Sequence, residues 1–179
     1  MPVHSVPSAP DERRYQSIAA LLKSHADKHG EKPFIVSVDE GGRNITFNKL
    51  WRLSNRMSRF LADRNVVRGG RVAVLSDNRL ELPVLYFSLL RYGAAFCTIN
   101  VEVNSANLRE MLARFNPELI LYHQDLELGL PQDSSLNLIP FGICDTAGDS
   151  ASDGGLFETL RGYSDDDDAP DAGAEPDDL

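Results

Sequence analysis

Two histidines, His25 and His29, stand four residues apart in a segment whose apolar residues recur at helical spacing. One helix face would then carry both imidazoles, which is a spacing that a shared metal ion uses. No third ligand follows at motif spacing, and His25 falls on the apolar side of the helix. We therefore expect a packed or solvated pair of histidines and no metal site.

Four consecutive aspartates, at positions 165–168, could also attract a divalent cation. Calcium loops, however, space their oxygen ligands along the chain and turn at a glycine, and this run does neither. The pattern therefore favours a solvated acidic linker over a metal site.

Arginines recur along the helical segment that follows Thr46 and give it a basic face. They could contact a phosphate group, but the pattern favours a solvated face that offsets nearby acids. Three aromatic residues on a later apolar helix, Tyr86, Phe87 and Tyr92, are expected in the core rather than as a base-stacking platform. The arginines are Arg52, Arg56, Arg59, Arg64 and Arg68.

The short motifs that mark phosphate-binding loops and nucleophiles are missing. The chain has no G-x-G-x-x-G, no G-x-x-x-x-G-K-[ST] and no G-x-S-x-G pattern. Its two cysteines make no disulfide framework, and Cys97 lies in an apolar run that predicts a buried, reduced thiol. We therefore assign no catalytic residue and no metal ligand, and the cofactor-binding residues are unknown.

The elements that would position any site are clearest in residues 71–103. Residues 71–75 are a short β-branched run, 82–90 are almost wholly apolar, and 95–99 form a second run without surface alternation. Two buried strands around a buried helix make a βαβ unit, which favours a parallel sheet. The predicted fold class is therefore α/β, with a mainly parallel sheet flanked by helices.

Further elements surround this unit. Residues 34–38 and 44–47 are predicted to form a small antiparallel hairpin, and residues 119–122 and 138–143 two more strands. Thr46 and Asn104 are expected to cap helices, while Asn78 and Glu81 have the spacing of a capping box. The apolar helix faces comprise Ile18, Leu21, Leu22, His25 and Ala26, then Leu50, Leu53, Met57, Phe60 and Leu61, and finally Leu108, Met111, Leu112 and Phe115.

Composition predicts three parts: a flexible arm at 1–14, an α/β subdomain at 15–145 and an acidic flexible linker at 146–179. The net charge is −9, and residues 164–179 hold eight acids but no Lys or Arg, so the body is close to neutral. Nothing indicates a nucleic-acid footprint. An apolar signal core is missing from residues 1–14, and 82–90 is too short to span a bilayer, so we expect a cytoplasmic protein.

Five short pieces occur in a fixed order between residues 15 and 122. They are Thr46-Phe47-Asn48-Lys49-Leu50, Gly70-Arg71-Val72-Ala73, Asn78, Tyr92-Gly93-Ala94-Ala95 and Ile99-Asn100. Together they resemble the amino-terminal subdomain of the adenylate-forming (AMP-binding) enzymes, which include acyl-CoA synthetases, luciferases and peptide-synthetase adenylation domains. No single piece is specific, whereas five in order are.

The resemblance implies a parent enzyme that is an ATP-dependent acyl-CoA synthetase. Such ligases use ATP and Mg²⁺ to turn a fatty or related carboxylic acid into an acyl-adenylate, and then transfer the acyl group to coenzyme A. Their phosphate loop, similar to S-G-T-T-G-x-P-K, does not occur here, and the chain stops at Asp177-Asp178-Leu179, where the segment before that loop would begin. We therefore expect an amino-terminal fragment that is inactive alone, binds none of these cofactors and self-associates through exposed apolar surface.

Two other classes stay open from the residues themselves. One is a non-enzymatic α/β binding or interaction module that shares ancestry with the ligases but not their chemistry. The other is an unrelated doubly wound domain of flavodoxin type, with a ligand at the carboxyl ends of its strands.

Overall fold

Helices and strands alternate along most of the chain in the computed structural model, which describes residues 17–100, 102–128, 136–144 and 155–170. The predicted arm at 1–14 lies outside the described residues, as do residues 146–154 and 171–179 of the predicted linker. The elements in chain order are α1 (Ile18–His29), β1 (Pro33–Ser37), β2 (Arg43–Thr46), α2 (Phe47–Asp63), β3 (Arg71–Leu75), α3 (Glu81–Tyr92), β4 (Ala95–Ile99), α4 (Ser105–Phe115), β5 (Leu119–His123), β6 (Leu138–Phe141) and α5 (Leu156–Leu160).

The larger sheet has four strands in the order β4-β3-β5-β6, and every neighbouring pair is parallel. The central strand β3 pairs on both sides, with Val72 opposite Phe96 of β4 and opposite Leu119 of β5. Strands β1 and β2 form a separate antiparallel hairpin. The predicted α/β class, with its mainly parallel sheet and small hairpin, is confirmed.

The sheet is covered on both faces. On β3, Val72 and Val74 belong to the core beneath α2 and α3, whereas Ala73 and Leu75 belong to a second core beneath α4. Because successive side chains on a strand point to opposite faces, a strand covered on both sides loses its polar alternation. This explains the continuous apolar run at β3.

Strand β4 departs from the expectation of burial because it lies at the edge of the four-stranded sheet. Ala95 and Thr98 are exposed and only Ile99 is buried. Cys97 is half-buried, so the predicted buried thiol is wrong at this position, whereas Cys144 is buried. An edge strand has a neighbour on one side only, which leaves part of its length open to solvent.

Three helices begin at side-chain caps. The Oγ of Ser17 accepts a hydrogen bond from the N–H of Ala20, and Oγ1 of Thr46 accepts one from Lys49. The Oδ1 of Asn104 accepts from both Ala106 and Asn107. The predicted caps at Thr46 and Asn104 are confirmed.

Helix α3 begins without the capping box that the spacing of Asn78 and Glu81 would allow. Its first residue is Glu81, and Leu80 before it makes no side-chain cap. Pro83 lies in the first turn, where its missing N–H costs no helical hydrogen bond. The helix ends at Gly93, whose φ of 89° favours glycine.

Residues 155–170 pack against the body. Helix α5 buries Leu156, Phe157 and Leu160, and the segment after it runs along α2. Tyr163 packs edge-on against Phe60 of the core, with the ring centroids 6.1 Å apart, and we call residues 164–168, which follow it, the strap. Composition predicts a flexible acidic linker here. The strap instead lies against α2, because its acids form ion pairs with arginines of that helix, more than a hundred residues earlier in the chain.

None of the helices among the described residues has the length and apolar character needed to cross a bilayer.

Candidate functional site

The carboxyl ends of all four parallel strands meet at one edge of the sheet. The chain leaves β3 for α3 on one face of the sheet, whereas Leu126 and Leu128, which follow β5, pack on the other face with α4. The connections therefore diverge between β3 and β5, and open α/β sheets bind ligands at such a point. This carboxyl edge is the candidate functional site.

An ion-pair chain bridges the loops that follow β3 and β5. The Nε of Arg79 donates to Oδ1 of Asp77 at 2.8 Å, and its Nη2 lies 3.6 Å from Oδ2 of Asp125. The hydrogen bond from Arg79 holds the pKa of Asp77 below its usual range. Arg79 thus ties two loops together at the point where the connections diverge.

His123 ends β5 beneath this ion-pair chain, with 1 % of its surface exposed. Its ring packs edge-on against Phe141, with the centroids 5.4 Å apart. The Nδ1 accepts a hydrogen bond from the N–H of Asp125 at 3.3 Å, and Nε2 has no partner within the described residues. His123 therefore packs the carboxyl edge beneath the two loops.

A second charged cluster joins the hairpin, α3 and the segment after β6. The Nη2 of Arg43 donates to Oε1 of Glu81 at 2.6 Å and to the carbonyl oxygen of Cys144 at 2.8 Å. Its Nη1 donates to Glu40 at 2.7 Å, while the N–H of Cys144 donates to Glu81 at 2.7 Å. Burial alone would lower the pKa of Arg43, but the hydrogen bond and charge of Glu81 raise it above its usual range.

Glu81 is fully buried in this cluster, and its Oε2 has no partner within the described residues. Sequence reasoning missed the cluster. The only local signals were an arginine in a hairpin and an acid at a helix start, and neither shows that the two elements meet.

A cavity of about 100 Å³ opens between the ends of β3 and β4 and the start of α4. Its walls combine apolar side chains with the polar residues Asn100, Ser105 and Glu127, and a cavity of this volume accommodates only a few atoms of a ligand. The lining residues are Leu75, Ile99, Asn100, Val103, Ser105, Leu108, Leu126, Glu127 and Leu128.

The donor groups at this edge do not fit an ATP–Mg²⁺ site. Nowhere in residues 17–100, 102–128, 136–144 or 155–170 do three His, Cys, Asp or Glu side chains gather around a point where a metal ion could bind. Asp77, Asp125 and Glu81 pair with arginines, and the sequence has no glycine-rich phosphate loop. The edge can orient loops and present a small cavity with both apolar and polar walls.

The histidine pair expected from sequence is packed. His25 stacks on Phe47 with the ring centroids 5.6 Å apart, and His29 lies 5.9 Å from the same ring. The two imidazoles are 5.9 Å apart. Both imidazoles therefore pack around the ring of Phe47.

The basic face of α2 meets the acids of the strap. The Nη2 of Arg56 lies 3.1 Å from Oδ2 of Asp165, and Arg59 pairs with Asp168. Arg64 instead lies over the ring of Phe60 at 3.9 Å, and Arg52 is exposed. The prediction that arginines of this face neutralise nearby acids is therefore confirmed for Arg56 and Arg59.

The three aromatic residues of α3 separate into core and surface. Tyr92 is buried, and its hydroxyl donates to the carbonyl of Val66 at 2.7 Å. Tyr86 is 43 % exposed and meets Phe96 of β4 edge-on at 4.9 Å. Phe87 continues this row to Phe34 of β1 at 5.3 Å. We call Phe34, Tyr86, Phe87 and Phe96 the aromatic row.

Comparison with known proteins gives a match to the family described as AMP-binding enzyme, over residues 22–179. The chain is 31% identical over 108 residues to the long-chain-fatty-acid–CoA ligase of Salmonella typhimurium, covering 60% of this chain and 19% of the ligase. It is also 31% identical over 104 residues to an isonitrile lipopeptide synthase of Streptomyces coeruleorubidus, covering 58% of this chain and 7% of that protein. The chain therefore spans a fifth or less of these relatives.

Solved structures show the same fold. The Mycobacterium tuberculosis fatty acyl CoA synthetase superposes with a TM-score of 0.68 at 19% identity, over 88% of this chain and 30% of that one. The N-terminal domain of FACL13 from the same organism gives 0.69 at 19% identity, over 89% and 39% of the two chains.

Proposed function

Because the chain belongs to the family of AMP-binding enzymes, we propose that it is the amino-terminal part of an ATP-dependent acid–thiol ligase. The carboxylic acid is a fatty or related acid, and the acceptor thiol is coenzyme A. The observation that carries the proposal is the family match over residues 22–179. The names of the fatty-acid–CoA ligases among the relatives support the choice of acid and thiol.

The proposed reaction has two steps. A carboxylate oxygen of the acid attacks the α-phosphorus of ATP, the bond to the β-phosphate breaks, and pyrophosphate leaves with an acyl-adenylate formed. The thiolate of coenzyme A then attacks the acyl carbon and AMP leaves, which gives the thioester. Both steps develop charge that fixed donors must stabilise, and Mg²⁺ would supply part of this at the phosphates.

This chain contributes a scaffold to that reaction in our proposal. The donor groups at its carboxyl edge do not fit ATP–Mg²⁺, so we assign the phosphate-binding chemistry to parts of the parent outside this chain. The chain alone is then inactive and binds neither ATP, Mg²⁺ nor coenzyme A. A cytoplasmic location belongs to the same proposal.

A second acceptor follows from the relatives. The lipopeptide synthase and bacitracin synthase 3 of Bacillus licheniformis also match this chain. Peptide synthases carry their acyl groups on protein-bound thiols, so a carrier thiol would replace coenzyme A if the parent belongs to that branch.

Exchange of pyrophosphate with ATP tests the proposal on the full-length parent and on this chain, across fatty, aromatic and short-chain acids. We expect exchange by the parent and none by the chain, and addition of the chain to the parent checks for inhibition. Supplying coenzyme A or a carrier protein afterwards distinguishes the two acceptors.

Exchange by the isolated chain would overturn the assignment of the chemistry to other parts of the parent. A parent that exchanges with no acid would favour the non-enzymatic α/β module. The encoded sequence after Leu179 gives an independent check, since a Ser/Thr-Gly loop within about fifteen residues is expected of the ligase.

A further inference from the structure

The strap lies along α2 through polar contacts at its start. The side-chain amide of Asn55 donates to the carbonyl of Asp165 at 2.8 Å, and Arg56 pairs with the carboxylate of the same residue. The Nε of Arg59 donates to the carbonyl of Ser164 at 3.1 Å, and its Nη2 pairs with Asp168. Side chains of α2 thus contact both the backbone and the acids of the strap.

The same segment covers Trp51. Its indole N–H donates to Oδ1 of Asp167 at 2.7 Å, and Trp51 is 7 % exposed. The other Asp167 oxygen lies 3.4 Å from Nζ of Lys23 on α1. The guanidinium of Arg91 lies over the face of the indole ring, 4.8 Å from the ring centroid. Asp167 therefore joins α1 to α2 through the indole edge.

The strap and α5 are held by different forces. Leu156, Phe157 and Leu160 of α5 are buried, so burial of apolar surface anchors that helix. The carboxylates of Asp167 and Asp168 are 62% and 82% exposed. Exposed ion pairs are weak and are screened by salt, whereas apolar anchoring is not weakened by it.

We propose that the strap is a latch that charge holds closed over Trp51 and that opens, with α5 still anchored, when its ion pairs are screened or neutralised. The open state exposes the indole and the cations beneath it. The proposal rests on contacts within this chain, so it can be refuted or supported independently of the proposed function.

Acid should open the latch as salt does. The hydrogen bond from Trp51 lowers the pKa of Asp167, burial opposes this, and the charges of Lys23 and Arg91 lower it further. Asp27 also faces the site because it pairs with Lys23. A lowered folded-state pKa stabilises the closed latch above the ordinary carboxyl range, and this stability is lost as the pH falls through the folded-state pKa.

Trp51 reports on the latch because it is the only tryptophan in the chain. We expect its quenching constant with acrylamide, a neutral quencher, to rise about twofold between ~0.1 M and ~1 M NaCl, as the screening length falls from about 10 Å to about 3 Å. Far-UV circular dichroism should stay constant over the same range, since the helices remain folded.

The double variant Asp167→Asn, Asp168→Asn should show the high quenching constant already at low salt. Asp166→Asn is the matched control, because it removes a charge from the same strap but, within the part of the chain that the structure describes, its carboxylate accepts a hydrogen bond from Ser164 and pairs with no cation. A second pair, Arg59→Gln against the exposed Arg52→Gln, applies the same test from the side of α2 and serves if the double variant does not fold. Quenching that is independent of salt and equal in each variant and its control would overturn the latch.

Discussion

At the scale of single residues, burial on α3 changes between neighbours. Leu85 and Leu89 lie in the core that α2 and α3 cover and are 1 % and 0 % exposed, as the apolar run of residues 82–90 predicts. Leu90, next to Leu89, is half-buried. Two leucines that are identical in chemistry and adjacent in sequence therefore allow burial to be tested by itself.

Truncation of Leu89 to Ala should lower the free energy of unfolding by about 2 to 5 kcal/mol, because the surrounding core closes only partly around the lost atoms. Leu90→Ala should lower it by at most about 1 kcal/mol, since less apolar area is lost and alanine favours the helix. Urea unfolding of both variants measures the difference. Equal losses would mean that Leu89 is not in the core.

Residue roles could be predicted where they depend on neighbours in sequence. Thr46 and Asn104 cap their helices as expected, because a cap uses backbone groups two or three residues away. Glu81 has capping-box spacing from Asn78 but binds Arg43, which is 38 residues earlier. Met111, expected in the core, is 38 % exposed. Such outcomes depend on tertiary neighbours that a local pattern does not contain.

At the scale of elements, the parallel sheet was predictable and its edge was not. Apolar runs at β3 and β4 look alike in the sequence, yet β3 is central and β4 lies at the edge. The strap was unpredictable for a similar reason, since its acids alone indicate a solvated linker. Only the position of α2 supplies the cations that hold it.

The Arg43 cluster makes an element-scale prediction because one guanidinium joins the hairpin, α3 and the segment after β6. Arg43→Gln leaves Glu81 buried without its cation, so the free energy of unfolding should fall by about 3 kcal/mol. Arg114→Gln is the matched control. It removes an exposed pair with Glu110 on α4 and should cost less than about 1 kcal/mol. Thermal or urea unfolding that ranks the two variants equally would contradict the role of the cluster.

At the scale of the whole molecule, the sequence predicted the family and the fold more fully than the site. Family resemblance came from five pieces in order, and the family match covers residues 22–179. The carboxyl-edge clusters could not be predicted, because Arg79 and Asp125 meet only after the loops behind β3 and β5 are brought together. The sequence positions of Arg79 and Asp125 do not indicate that the two side chains form an ion pair.

Self-association is the prediction for the isolated chain. The aromatic row runs from the edge strand β4 across α3 to β1, and Tyr86 within it is 43 % exposed. Exposed apolar surface of this kind promotes contacts between copies. Light scattering after size exclusion should show oligomers that increase with concentration, and Tyr86→Lys should reduce them. Met111→Lys, on α4, should leave them unchanged, and a monomer at all concentrations would contradict the prediction.

The central position of β3 has a consequence for the order in which the chain folds during its synthesis. Strand β4 and most residues of the first core lie before residue 100, so this part can begin to assemble before β5 has been made. The other edge of β3 must wait for β5, at residues 119–123. Until then the nascent chain carries an unpaired, apolar strand edge, which is a template for pairing with the wrong strand. In the finished fold, β3 has a strand on each side. During synthesis, the interval before β5 is made is the one in which β3 can pair wrongly.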